Sequence, residues 1–101
     1  MQYEIKKIEN RVSILLQEEF FDAQLAEDLK KLLDQQAGLG SQYIELDLSL
    51  VKVITSHWIG MLLLFRKHFH EQGGQLKLIR MHDNVRGIFQ LMNINSLLDL
   101  E

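Results

Sequence analysis

The sequence contains no cysteine and no proline, and it has a single tryptophan. Without cysteine there are no disulfides, no thiol catalysis and no cysteine–zinc site, a composition that agrees with a reducing cytoplasm. Without proline, every turn falls to Gly, Asn, Asp and Ser. Positive charge is not in excess either: 11 Lys and Arg stand against 14 Asp and Glu, a net charge of −3. That balance gives no footprint for nucleic acid or for an anionic membrane as partner. No apolar run approaches the roughly 18 to 20 residues of a membrane span, and the charged stretch from Met1 to Asn10 does not read as a secretory signal. Internal repeats, low-complexity tracts and linkers are lacking. What is there is 101 residues with 47% apolar content, enough for one core, so a single domain over 1–101 is expected.

The clearest stretch runs from Tyr43 to Gly74. Ile44, Leu46 and Leu48 alternate with Tyr43, Glu45 and Asp47, the signature of a strand with one buried face. Trp58, Leu62, Phe65 and Phe69 then recur at helical spacing, and the helix closes at Gly73-Gly74. Thr55 and Ser56 therefore stand where a strand hands over to a helix, at the positive end of its dipole.

Upstream, Tyr3 to Ile8 and Val12 to Leu16 alternate as two strands joined at Glu9-Asn10, a hairpin. Asp22 is placed to cap a helix reaching about Gln36, with Leu25, Leu29, Leu32 and Leu33 as its apolar stripe and Gly38 and Gly40 at its end. Downstream, Leu76 to Met81 reads as a short strand. Asp83 is placed to cap a third helix over Asn84 to Met92, with Val85, Ile88, Phe89 and Met92 inward. Asn93 suits the end of that helix, and Ile94, Leu97, Leu98 and Leu100 form an apolar tail expected to fold back. The order β-β-α-β-α-β-α predicts an α/β fold: a mixed, mostly parallel sheet packed against helices, with the first strand antiparallel.

The sequence offers little to an enzyme. A serine-nucleophile elbow reads G-x-S-x-G, but Ser56 is flanked at those positions by Ile54 and Trp58. There is no G-x-G-x-x-G or Walker-type loop to cradle phosphates. His68 and His70 lie roughly 200° apart around a helix and cannot chelate one ion from the same face. His57 and His82 are remote from that pair, so the histidines read as surface residues and neither a metal nor another cofactor is expected. Asp47, at the end of its strand, is read as bracing the loop that follows.

The segment Leu46 to Gly74, LDLSLVKVITSHWIGMLLLFRKHFHEQGG, resembles the STAS domain of anti-sigma factor antagonists. That family shows a strand ending in D-L-S, a hydrophobic connector, D-S-S-G opening a helix that begins L-G-V-L, then a double glycine and another strand. The match runs without a gap through Asp47-Leu48-Ser49, Ser56, Ile59-Gly60-Met61-Leu62 and Gly73-Gly74. It continues through Leu76 to Ile79, Val85-Arg86 and Leu97-Leu98. Upstream, Asp22, Ala26 and Leu29 sit where the family's first long helix begins.

The resemblance implies a cytoplasmic regulator of transcription rather than an enzyme. Its partner would be a serine-kinase anti-sigma factor or a related kinase, released when the antagonist is phosphorylated. By position, Ser56 is similar to the family's phosphoacceptor, and Thr55, Ser56, His57 and Trp58, with Asp22, would face the partner. The departures lie in the turn itself: Thr55 replaces the aspartate, His57 the second serine and Trp58 the glycine. Two readings of Trp58 follow, an exposed anchor for a partner or a continuation of the core stripe. Ser56 likewise reads as a helix cap or as a modified hydroxyl, and Thr55 could take over either role. The alternative function is a constitutive scaffold subunit of a larger assembly, of stress-signalling or lipid-transport type. Ile59, Leu63 and Leu64 beside the core stripe motivate it, as apolar surface for a partner or a second copy.

Overall fold

The computed structural model describes residues 1–91 and the backbone of 99–100. In chain order the elements are β1 (Tyr3–Ile8), β2 (Arg11–Leu16), β3 (Phe20–Phe21), α1 (Ala23–Gly38), β4 (Tyr43–Asp47), β5 (Val53–Ile54), α2 (Ser56–Glu71), β6 (Gln75–Ile79), α3 (Asp83–Leu91) and β7 (Asp99–Leu100). The main sheet has the order β1-β2-β4-β6-β7. Only β1 runs antiparallel to its neighbour; β2, β4, β6 and β7 pair in parallel. The expected α/β class and the odd antiparallel first strand are therefore what the chain adopts.

Register explains the core. Val12 pairs with Ile44 and Ile44 with Leu76, while Ile14 pairs with Leu46 and Leu46 with Leu78. Paired residues share a face, so these side chains form two apolar rows across the sheet, and all six are buried. Helix α1 covers the rows with Ala26, Leu29, Leu32 and Leu33; α2 adds Trp58, Leu62, Phe65 and Phe69, and α3 adds Val85 and Phe89. The opposite face carries Arg11, Ser13, Tyr43, Glu45 and Lys77, none of them buried, with the Arg11 guanidinium 4.5 Å from the centre of the Tyr43 ring.

The turns follow local chemistry. Glu9 adopts a φ of 58° in the β1–β2 hairpin, and Gly73 takes a φ of 85° after α2. Gly74 is needed for space: a β-carbon there would lie 2.5 Å from the Phe69 ring. Asp47 braces the loop beyond β4 as expected. One carboxylate oxygen accepts the Ser49 N–H at 2.9 Å and the other accepts Arg80 Nη1 at 3.0 Å.

Several details differ from the sequence reading. The two-residue strands β3 and β5 form a separate parallel pair, Phe20 with Val53 and Phe21 with Ile54; a strand of two residues shows no alternation to detect. Helix α3 begins at Asp83 itself, with the Arg86 N–H donating to the His82 carbonyl, so Asp83 stands in the first turn and His82 takes the cap position. The strand expected to reach Met81 stops at Ile79, because Arg80 turns to a φ of 56°. Met92, Asn93, Ile94, Leu97 and Leu98 lie outside the described residues; Leu100 belongs to β7, beside β6.

Candidate functional site

The short parallel pair decides how the candidate site is built. Because Phe21 is in register with Ile54, the residues that follow, Asp22 and Thr55, occupy equivalent positions, and each caps a helix. Asp22 Oδ1 accepts the Leu25 N–H at 2.9 Å. Thr55, with φ −107° and ψ 162°, accepts the Trp58 N–H on Oγ1 at 3.2 Å. Helices α1 and α2 thus start from neighbouring strands that point the same way, and both present their positive ends at this edge.

Thr55 rather than Ser56 is the N-cap of α2, which settles one of the open readings. Extended φ and ψ with the hydroxyl folded back define the cap, and Thr55 has them. Ser56 is the first residue of the helix and is exposed. His57 is exposed as well, and its Nε2 lies 3.1 Å from Glu27 Oε1, bridging the first turn of α2 to the second turn of α1. Asp22, Thr55, Ser56 and His57 are thereby brought to one edge of the molecule.

Trp58 does not belong with them, and its assignment as a partner-contacting residue is corrected. It is 0% exposed. Its ring lies 5.7 Å from that of Phe21 and 6.4 Å from that of Phe89, tilted against both. The cause is helical phase: Trp58 shares the inward face with Leu62, Phe65 and Phe69. The indole therefore fills the space between β3, α2 and α3 and leaves Ser56 open. Ile59 is likewise buried, so of the helix residues expected to offer apolar surface only Leu64 is substantially exposed, at 53%.

The apolar surface beside Ser56 comes from residues that sequence reasoning missed. Phe20 is 52% exposed and its strand partner Val53 46%. Phe21 and Ile54, the next pair, point inward and are buried. The doublet Phe20-Phe21 held the signal, since neighbouring strand residues face opposite ways. The residues just before the pair, Lys52 and Glu19, meet in an ion pair, Nζ to Oε1 at 3.3 Å. Among the described residues, no group of three His, Cys, Asp or Glu side chains is placed to hold a metal ion, and no helix is long and apolar enough to cross a membrane.

This combination of sheet order and helix placement is the fold of anti-sigma factor antagonists. SpoIIAA of Bacillus in its unphosphorylated form superposes with a TM-score of 0.81 at 16% identity, over 99% of this chain and 88% of that one. Protein TM1081 of Thermotoga maritima gives 0.82 at 21% identity, over 97% and 84%. An anti-sigma factor antagonist of Mycobacterium paratuberculosis gives 0.83 at 13%, over 98% and 83%. No curated protein matches the chain. The family model described as the Mlab STAS domain matches residues 8–99, and the chain belongs to that family of STAS domains.

Proposed function

We propose that this chain is a partner-switching regulator without catalytic activity, working in the cytoplasm as an antagonist of a serine-kinase anti-sigma factor or of a related regulatory kinase. The observation that carries the reading is the state of Ser56. Its hydroxyl is exposed at the first position of α2, and Thr55 already does the capping. Phosphorylation of Ser56 adds about −1.5 to −2 charges and three strong acceptor oxygens. A helix N-terminus tolerates that charge, so the fold survives modification. A partner seated on Phe20 and Val53 and against Ser56 would meet a charged group where it had packed, and it would be released. Asp22 and His57 frame this surface.

The test is direct. The protein is incubated with ATP and its cognate kinase, and phosphate is mapped by mass spectrometry. Modification of Ser56, with binding lost in Ser56→Asp and retained in Ser56→Ala, is the expected result. Absence of phosphate from Ser56 together with unchanged binding by Ser56→Asp defeats the reading.

A second reading is favoured by Leu64, which stands exposed beside the groove between α1 and α2 that Lys30, Phe65 and Phe69 also line. In it the chain is a constitutive scaffold subunit of a larger stress-signalling or lipid-transport assembly, held through its helices and indifferent to Ser56. Stable co-purification of a partner with both Ser56→Asp and the unmodified protein supports it over the switch.

A further inference from the structure

We infer that two copies of this chain join through the outer edge of β1, extending the five-stranded sheet into a continuous one across a two-fold axis. Strand β1 is an edge: it pairs with β2 alone among the described residues. The direction of its free backbone groups follows from the ladder. The Gln17 N–H donates to the Gln2 carbonyl at 2.9 Å, so even-numbered residues of this antiparallel pair turn their backbone toward β2. Tyr3, Ile5 and Lys7 turn theirs outward.

An antiparallel pairing of β1 with its own copy must therefore oppose odd residues to odd residues. The choice among such registers is electrostatic. With Ile5 on the two-fold axis, Tyr3 faces Lys7 of the second copy and Glu4 faces Lys6 of the second copy, each pair occurring twice. The outward groups of Tyr3, Ile5 and Lys7 then make about six backbone hydrogen bonds, two for each directly bonded pair. Sliding the copies by two residues either way sets Glu4 against Glu4 or Lys6 against Lys6, and like charges directly opposite repel. A slide by one residue sets outward groups against inward ones and breaks the ladder.

Side chains agree with this register. Lys6 and Lys7 make no ion pair among the described residues, and Glu4 is engaged only by Gln17 Nε2 at 3.3 Å. Ile5 packs partly buried against the core, so Ile5 facing Ile5 carries the apolar row of Ile14, Leu46 and Leu78 across the axis. Tyr3, 39% exposed, offers its ring to the stem and charge of Lys7. Lysines on an edge strand normally repel a stray strand; here they admit one sequence, the chain's own. The pairing uses backbone and side chains of β1 alone, and the inference is independent of how Ser56 is used.

Sedimentation across a concentration series tests it. Wild type is expected to show a monomer–dimer equilibrium. Glu4→Lys and Lys6→Glu, each alone, should weaken the dimer about tenfold or more, because two attractive pairs become repulsive. The double variant Glu4→Lys with Lys6→Glu should recover most of the loss. Lys7→Pro should give a folded monomer by circular dichroism, since that residue's N–H points away from β2 and proline is tolerated on an edge. A wild type still monomeric at about 1 mM, beyond the reach of any association worth more than about 4 kcal/mol, overturns the inference. So does a dimer that survives Lys7→Pro, or one that the charge swap fails to restore.

Discussion

Removing the Trp58 indole should damage the fold far more than any surface change at the neighbouring turn. The side chain is 0% exposed and packs between Phe21 and Phe89, at ring separations of 5.7 and 6.4 Å. Three elements close around it, so Trp58→Ala leaves a cavity that cannot collapse without moving β3 or α3. Truncations of this kind cost about 3–5 kcal/mol, against a total of about 5–15 kcal/mol for a domain of this size. The melting temperature should fall by roughly 20 °C. Trp58→Phe tests the same space with a different balance. It gives up part of the packing, but it also removes a buried indole N–H that has no hydrogen-bond partner among the described residues, a group whose burial costs about 1–3 kcal/mol. The phenylalanine variant should therefore lose less than half of what the alanine variant loses. Urea unfolding followed by far-UV circular dichroism measures both. Were Trp58→Ala to unfold within about 1 kcal/mol of wild type while partner binding vanished, the indole would be a surface anchor and the packing argument would be refuted.

Three further outcomes are expected. Gly74→Ala forces a methyl to within 2.5 Å of the Phe69 ring, which is buried and stacked 5.2 Å from Phe65; thermal unfolding should show a loss of about 1–3 kcal/mol. Thr55→Ala removes the cap bond to Trp58 and should cost about 1 kcal/mol, whereas Ser56→Ala should stay within about 0.5 kcal/mol of wild type; the reverse order in chemical denaturation would reassign the cap. Lys30 holds its proton more tightly than an ordinary lysine, first through its 2.7 Å hydrogen bond to Asp34 and then through the charge of Asp34, with Glu27 adding to it. A pKa raised by folding stabilises below the ordinary lysine range, and the benefit disappears as pH climbs through the folded value. The pair is exposed, so the effect on stability is small, but side-chain NMR titration should show the upward shift and Asp34→Asn should remove most of it.

What the sequence made legible was whatever had a period. The stretch from Tyr43 to Gly74 alternates over a strand and then repeats at helical spacing, and both elements form where the pattern puts them. The helices α1 and α2 carry their caps and glycines at the expected ends. The pair β3–β5 left no periodic trace, yet it aligns Asp22 with Thr55 and exposes Phe20 and Val53, so the candidate site could be named in its hydroxyls but not in its apolar part. Trp58 was ambiguous for a related reason. Its place on the helix was plain, but whether anything covered the ring depended on Phe21 and Phe89, from the two ends of the chain. The cap showed the limit of composition: Thr55 and Ser56 are chemically equivalent candidates, and only backbone angles separate them.

The strand order has a consequence for how the molecule is made. From β1 to β7 the main sheet is laid down in the sequence in which the strands leave the ribosome, β2 by a hairpin and each later strand beside one already placed after a crossover. Each of the parallel pairings β2–β4 and β4–β6 spans 32 positions, Arg11 to Tyr43 and Tyr43 to Gln75, and assembly can keep pace with synthesis from the hairpin onward. A half-made chain then carries a second open margin besides that of β1, the one awaiting the next strand, and a pause in translation just after β4 or β6 is the moment of greatest exposure to mispairing.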